Sequence, residues 1–203
     1  MIQYSSAFYD NGVLNLSKAL PAQPDTQQLH LAVREYLDSL AQTNPLQTSL
    51  FFEPPYSSPN LSKVLRYENF LFLLTEMSHL LAFLGDDCTR STCPTMLATM
   101  EWKFLCTVHG NDPVDCCAQS YCAHFLDSGL SQFYANCDGP EAGKNYSFLE
   151  RRSYRIIAHA YHHHKAKFLL FEKERGIYKR FNRYLQIFAP KSVGQMQPAI
   201  HVE

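Results

Sequence analysis

The chain has 203 residues, 46% of them hydrophobic and 13% aromatic, which is ample for one folded core and excludes a disordered protein. Its net charge of −1 hides an asymmetry: residues 1–143 carry 6 Lys+Arg against 15 Asp+Glu, whereas residues 144–203 carry 12 against 4. This balance argues against bulk nucleic-acid binding and predicts self-docking of acidic and basic parts, with a basic face left for an anionic partner.

The N-terminal stretch MIQYSSAFYDNGVLNLSK lacks a basic segment followed by an apolar one, so no signal peptide is expected. Residues 1–26 are polar and unperiodic and read as an irregular arm. Over 27–42, Leu29, Val33, Tyr36, Leu37 and Leu40 recur at three- and four-residue spacings, which predicts an amphipathic helix ended by Pro45. FFEPPYSSPNLS (51–62) reads as loop. A second helix is predicted from 63 to 84, stopped by Gly85; it is apolar on most faces and should sit centrally. Its run FLFLLTEMSHLLAFL is too short to span a bilayer and carries Glu76 and His79. DDCTRSTCP (86–94) reads as a loop, and the alternation of Trp102, Phe104, Cys106 and Val108 predicts strands and a small hairpin. Helices are then predicted over 117–136, from Ser147 to Glu174 with SFLE as a capping box, and over 177–188 after Gly176. The fold class is mainly α with a minor β insert, most simply a helical bundle.

Seven cysteines do not suit a secreted disulfide framework, and the thiols read as reduced, in a cytosolic protein. Cys88 and Cys93 form a C-x4-C loop closed by Pro94. Two thiolates there can supply half of a tetrahedral zinc site, and the histidines of RRSYRIIAHAYHHH (151–164) the rest; the alternative is a pair of unrelated thiols and a solvated histidine cluster. The distance along the chain to His159 excludes a compact zinc finger and implies a staple between a loop and a remote helix. On a straight helix, positions 159, 162 and 163 share a face while 164 is displaced from 159 by about 140°. Spacing thus favours His163 over His164 as the second imidazole and leaves the pair open. Cys106, Cys116, Cys117, Cys122 and Cys137 read as small buried hydrophobes, and His109 and His124 as satisfied loop or core histidines, with a place next to the metal as the alternative. No H-E-x-x-H is present, and a shell of two cysteines and two histidines has no open position for water, so the zinc is expected to be structural and no catalytic residue is assigned.

Arg151 and Arg155 lie four apart on one helix face, with Arg152 about 100° around it. Guanidinium forks match phosphate oxygens in a bidentate way, and clustered arginines repel one another unless an anion or acidic side chains intervene. The alternative is a solvated face with Glu150 as partner, each exposed pair being worth under ~1 kcal/mol.

EPP (53–55), YE (67–68), C-x4-C-P (88–94), EWKFLC (101–106) and RRSYRIIAHAYHHH (151–164) together resemble the Mob kinase-activator family, closest to its phocein branch. The resemblance runs from about residue 28 to 187, which gives an arm at 1–26, a Mob/phocein domain at 27–188 and a tail at 189–203. It implies a helical bundle with a short β-hairpin and one structural zinc, Zn2+, on Cys88, Cys93, His159 and His164, against the straight-helix choice of His163. It also implies a phosphopeptide pocket on Arg151, Arg152 and Arg155. The expected protein is a non-enzymatic adaptor that binds kinases or phosphopeptides within a striatin-type phosphatase–kinase complex. Its implied partners are Ste20-like kinases, a striatin-like scaffold and a type 2A phosphatase, with no nucleic acid and no membrane span. The implied location is cytoplasmic, with a peripheral place at Golgi or endocytic membranes. Leu65 stands where the branch usually has tryptophan, the segment 136–150 is shortened, and 189–203 does not resemble the family's tail. The competing expectations are a constitutive interaction module without a phosphate pocket, and a zinc hydrolase built on the histidine cluster.

Overall fold

Helices carry most of the fold, and each long one begins or ends where local chemistry dictates. The computed structural model describes residues 4–136 and 142–202. In chain order, a hairpin of β1 (Tyr9–Asp10) and β2 (Val13–Leu14) leads through a short α1 (Leu16–Ala19) into α2 (Thr26–Thr43) and α3 (Leu61–Leu84). A second hairpin, β3 (Leu97–Thr99) with β4 (Trp102–Lys103), precedes α4 (Ala118–Asn136), α5 (Ala142–His163), α6 (Lys165–Arg175) and α7 (Ile177–Phe188). The chain divides into two units, Met1–Leu73 with Glu174–Phe188, and Leu74–Lys173 with Ala189–Glu203.

In the first unit, Asp25 caps α2 by accepting from the Gln28 backbone at 2.8 Å, and the Gln28 side chain accepts from the Asp25 backbone in return. Leu29, Val33, Tyr36, Leu37 and Leu40 are all buried, as their spacing predicts. A truncation such as Leu37→Ala should cost about 2–5 kcal/mol. Residues 4–20, expected to be irregular, instead carry the hairpin and α1, and bury Leu14, Leu16 and Leu20. Their apolar residues are too few and too close to turns to show a period. The YE pair is structural here: buried Glu68 accepts from Arg34 at 2.9 and 3.1 Å and meets His30 Nδ1 at 2.7 Å. Gly176, at φ +62°, makes the left-handed turn into α7. Arg180 of α7 lies fully buried, donating to the carbonyls of Pro45 and Arg175 while its guanidinium covers the Phe51 ring.

In the second unit, β3 and β4 pair antiparallel, Leu97 opposite Lys103 and Thr99 opposite Trp102. Beyond the strands the chain stays layered: Cys106 and Val114 exchange both backbone bonds, at 2.7 and 2.8 Å, and Ala118 N–H at the start of α4 donates to Cys93 O at 3.0 Å. The core joins Tyr121, Phe125 and Phe133 of α4 with Leu149, Ile156, Ile157 and Ala160 of α5. Two expectations change. The helix placed at 147–174 begins at Ala142, so Ser147 and Glu150 lie inside α5 rather than in a capping box, and the helix bends at His164. The tail is tied to α5, with the Tyr154 and Tyr161 hydroxyls donating to the Pro198 and His201 carbonyls. Cys137, read as a buried thiol, lies outside the described residues.

Candidate metal centres and an arginine face

The C-x4-C loop is braced before any ligand is considered. Thr89 and Thr92 cap each other's backbone N–H groups at 2.8 and 3.2 Å, and the Thr92 hydroxyl donates to Asp87 O at 2.7 Å. Lys167 pairs with Asp87 at 3.1 Å, drawing α6 to the loop's start. This frame holds Cys88 Sγ 3.4 Å from His159 Nε2 and Cys93 Sγ 3.4 Å from His164 Nε2, with all four donor atoms within 4.8 Å of one another. Donors around a tetrahedral ion with bonds of about 2.0–2.3 Å stand roughly 3.3–3.8 Å apart; the two 3.4 Å approaches match that spacing, and the set of four could hold one ion.

His159 is prepared for that role. Its Nδ1–H donates to the Leu97 carbonyl at 2.6 Å, which leaves the Nε2 lone pair facing the sulfurs. Burial holds its pKa down to about 4, so the ring is neutral at ordinary pH. Burial first, and Cys93 second, push the Cys88 thiol up to about 12; a bound cation would reverse that balance. The structure brings His164 rather than His163 to the cluster. The bend at His164 lies between α5 and α6, although His164 N–H still reaches Ala160 O at 3.0 Å. The angular displacement of a straight helix therefore does not apply there. His163 is exposed and stacks on the His159 ring, 4.8 Å between centroids.

A second cluster was not foreseen. Cys106, His109, Cys116 and His124 also bring four donors within 4.8 Å of one another. His109 Nε2 is 3.0 Å from Cys116 Sγ, and His124 Nδ1 is 3.7 and 3.9 Å from the sulfurs of Cys106 and Cys116. Cys106 is buried, as read, whereas Cys116 is half-buried, and the backbone exchange between Cys106 and Val114 folds the loop back so that the two thiols and two imidazoles meet in a set that could hold an ion. The missed signal was the spacing C-x2-H-x6-C-x7-H over 106–124. Cys122, fully buried, fits its reading as a small hydrophobe, while Cys117 is half-buried and directed to Ser120.

The arginines separate into two groups. Arg152 donates to the Thr107 hydroxyl at 2.7 Å and lies over the Phe148 ring, and Arg155 donates to the Tyr121 hydroxyl at 2.8 Å and lies over Phe104. Burial, joined by the neighbouring positive charge of Arg155, lowers the Arg152 pKa. Neither has a carboxylate partner among the described residues. Arg151 is exposed and donates to Ser147 on its own helix at 3.0 Å. Glu150, the alternative partner weighed from sequence, is fully buried. No helix is long and apolar enough to cross a membrane, among the described residues.

A mainly helical chain with a braced C-x4-C loop and Cys/His clusters able to hold metal defines the class of protein. The chain belongs to the Mob1/phocein family, whose sequence model matches residues 62–190 and so covers both clusters and the three arginines. It is 31% identical over 162 residues to the MOB-like protein phocein of Caenorhabditis elegans, covering 76% of this chain and 71% of that protein. It is 33% identical over 162 residues to MOB kinase activator-like 4 of Drosophila melanogaster, with the same coverage.

Proposed function

We propose that the protein is a non-catalytic, kinase-associated adaptor that binds phosphorylated segments through Arg151, Arg152 and Arg155. The observation that carries this reading is the adjacent pair of Arg152 and Arg155, half-buried, held by hydroxyls and aromatic rings and without a carboxylate among the described residues. Two such guanidiniums repel each other, and a dianionic phosphate relieves that repulsion through charge-assisted bonds. Arg151, on the outer side, contributes long-range attraction. The name of one relative, MOB kinase activator-like 4, supports a kinase partner. The resemblance extends the proposal to Ste20-like kinases, a striatin-like scaffold and a type 2A phosphatase as the surrounding complex, in the cytoplasm and at the periphery of Golgi or endocytic membranes.

In this reading both Cys/His clusters hold zinc, as structural ions. Each set supplies two sulfurs and two imidazole nitrogens, which completes a tetrahedral shell and supports a structural rather than hydrolytic role. Cys88, Cys93, His159 and His164 would staple the loop to the bend between α5 and α6. The test is a titration with a fluorescein-labelled phosphothreonine peptide and its unphosphorylated twin. Arg152→Ala or Arg155→Ala should abolish phosphopeptide binding while zinc content and melting temperature barely move. Unchanged affinity in both variants sinks the pocket and leaves a constitutive interaction module.

A further inference from the structure

Of the four groups that hold the arginine pair, three stand beside a ligand of the second cluster, Phe148 of α5 being the exception. Thr107, which accepts from Arg152, directly follows Cys106, and Phe104, under Arg155, precedes it by two. Tyr121, which accepts from Arg155, lies one turn before His124 on α4. The loop 107–115 is exposed throughout, and Gly110 within it is at φ +120°. At its base the Cys106–Val114 exchange and a Lys103–Asp115 ion pair hold the backbone, whereas Thr107 and His109 extend beyond that base. The loop's side-chain ties to the helices are the Thr107 hydroxyl on Arg152 and the approach of His109 and Cys116 to His124 of α4.

We infer that an ion held by Cys106, His109, Cys116 and His124 sets the phosphopeptide affinity of the Arg152–Arg155 face, by fixing the loop that positions Arg152 against the helix that positions Arg155. The occupant is a divalent, zinc-like ion, given the sulfur and imidazole donors. With the ion bound, Thr107, Phe104 and Tyr121 form one rigid cradle and the two guanidiniums are oriented before a phosphate arrives. Without it, the exposed loop is free at His109, Thr107 no longer holds Arg152, and the peptide must order both. Thr107 and the cluster are thus positioning elements, and they act through the arginines. This inference rests on the phosphopeptide reading above.

The experiment uses the full chain, the same labelled phosphothreonine peptide, and elemental analysis for zinc. Wild type should carry two zinc ions per chain. The His109→Ala/Cys116→Ala double variant should carry one, keep its far-ultraviolet circular dichroism, and bind the phosphopeptide about tenfold more weakly, as expected when a charge-assisted site loses preorganisation. Thr107→Val should keep both ions and bind roughly threefold more weakly, in line with the loss of one hydrogen bond. A double variant that has lost one zinc and binds as tightly as wild type overturns the inference, as does wild type with a single ion. If the double variant does not fold, Thr107→Val decides alone: wild-type affinity there overturns it. Unchanged binding by Arg152→Ala is a different failure, that of the phosphopeptide reading itself.

Discussion

The two Cys/His clusters offer the same donors in opposite settings. The first joins residues 71 apart in the chain, and three of its four members are buried, His159 to 1% exposure. The second spans 106–124, with His109 exposed and Cys116 half-buried. A long chain closure inside a core makes an ion part of the folding free energy; a short closure at the surface makes it a local brace. The same chemistry should therefore act on global stability in one place and on local geometry in the other.

The largest break in that comparison comes from the buried set. Cys88→Ser or His159→Ala should remove the first ion and lower the melting temperature by more than about 20 °C, because a structural zinc is worth ~10 kcal/mol or more. A thermal melt paired with metal analysis reads this, and a near-normal melt with one ion fewer would make the two clusters equivalent.

Acid sharpens the same contrast. An unfolded imidazole titrates near 6.5, whereas burial holds His159 near 4. Between those values the unfolded chain takes up a proton that the folded chain refuses, so stability should fall as pH drops from about 6.5 towards 4, by roughly 3 kcal/mol at most from this group. Proton competition for the ligands acts in the same direction. Denaturant titrations across that window should show the slope in wild type, and stability that stays level from pH 6.5 to 4 would contradict it.

Chelation should separate the clusters in time. A chromophoric chelator at neutral pH should extract one ion early, with little change in circular dichroism, and the other only as the protein unfolds. Simultaneous release would mean that exposure does not distinguish the two.

The smallest effect is expected at His163. His163→Ala should leave the zinc content unchanged and shift stability by no more than about 1 kcal/mol, since an exposed ring stacked on His159 is lost and no ligand is. Loss of an ion in that variant would restore the straight-helix choice.

Much of the fold was legible because apolar periodicity reports burial on a single element. Leu29, Val33, Leu37 and Leu40 announced α2, and the run of apolar residues before Gly85 announced α3. The hairpin at 97–103 was legible in outline from the alternation around Trp102, although only Trp102–Lys103 of that run is strand. The N-terminal hairpin and α1 were not, since elements of two to four residues carry no period. The Cys88–Cys93 pair drew notice through its spacing. Cys106 and Cys116, ten residues apart with a loop between them, did not.

By itself, the amino-acid sequence determined the helical class, the boundaries of α2, α3, α4 and α7, the reversal of charge between front and back, and the presence of thiols, imidazoles and guanidiniums at set intervals. Only the tertiary structure decided which of them meet. A bend at one residue exchanged His163 for His164, a loop closed by Cys106 and Val114 assembled a second set of donors, and the crossing of α4, α5 and the hairpin placed Arg152 beside Arg155 while Arg151 turned away. The reason is physical. Spacing along a chain specifies direction around one helix axis, but convergence of side chains depends on the angles between elements, which are settled by packing.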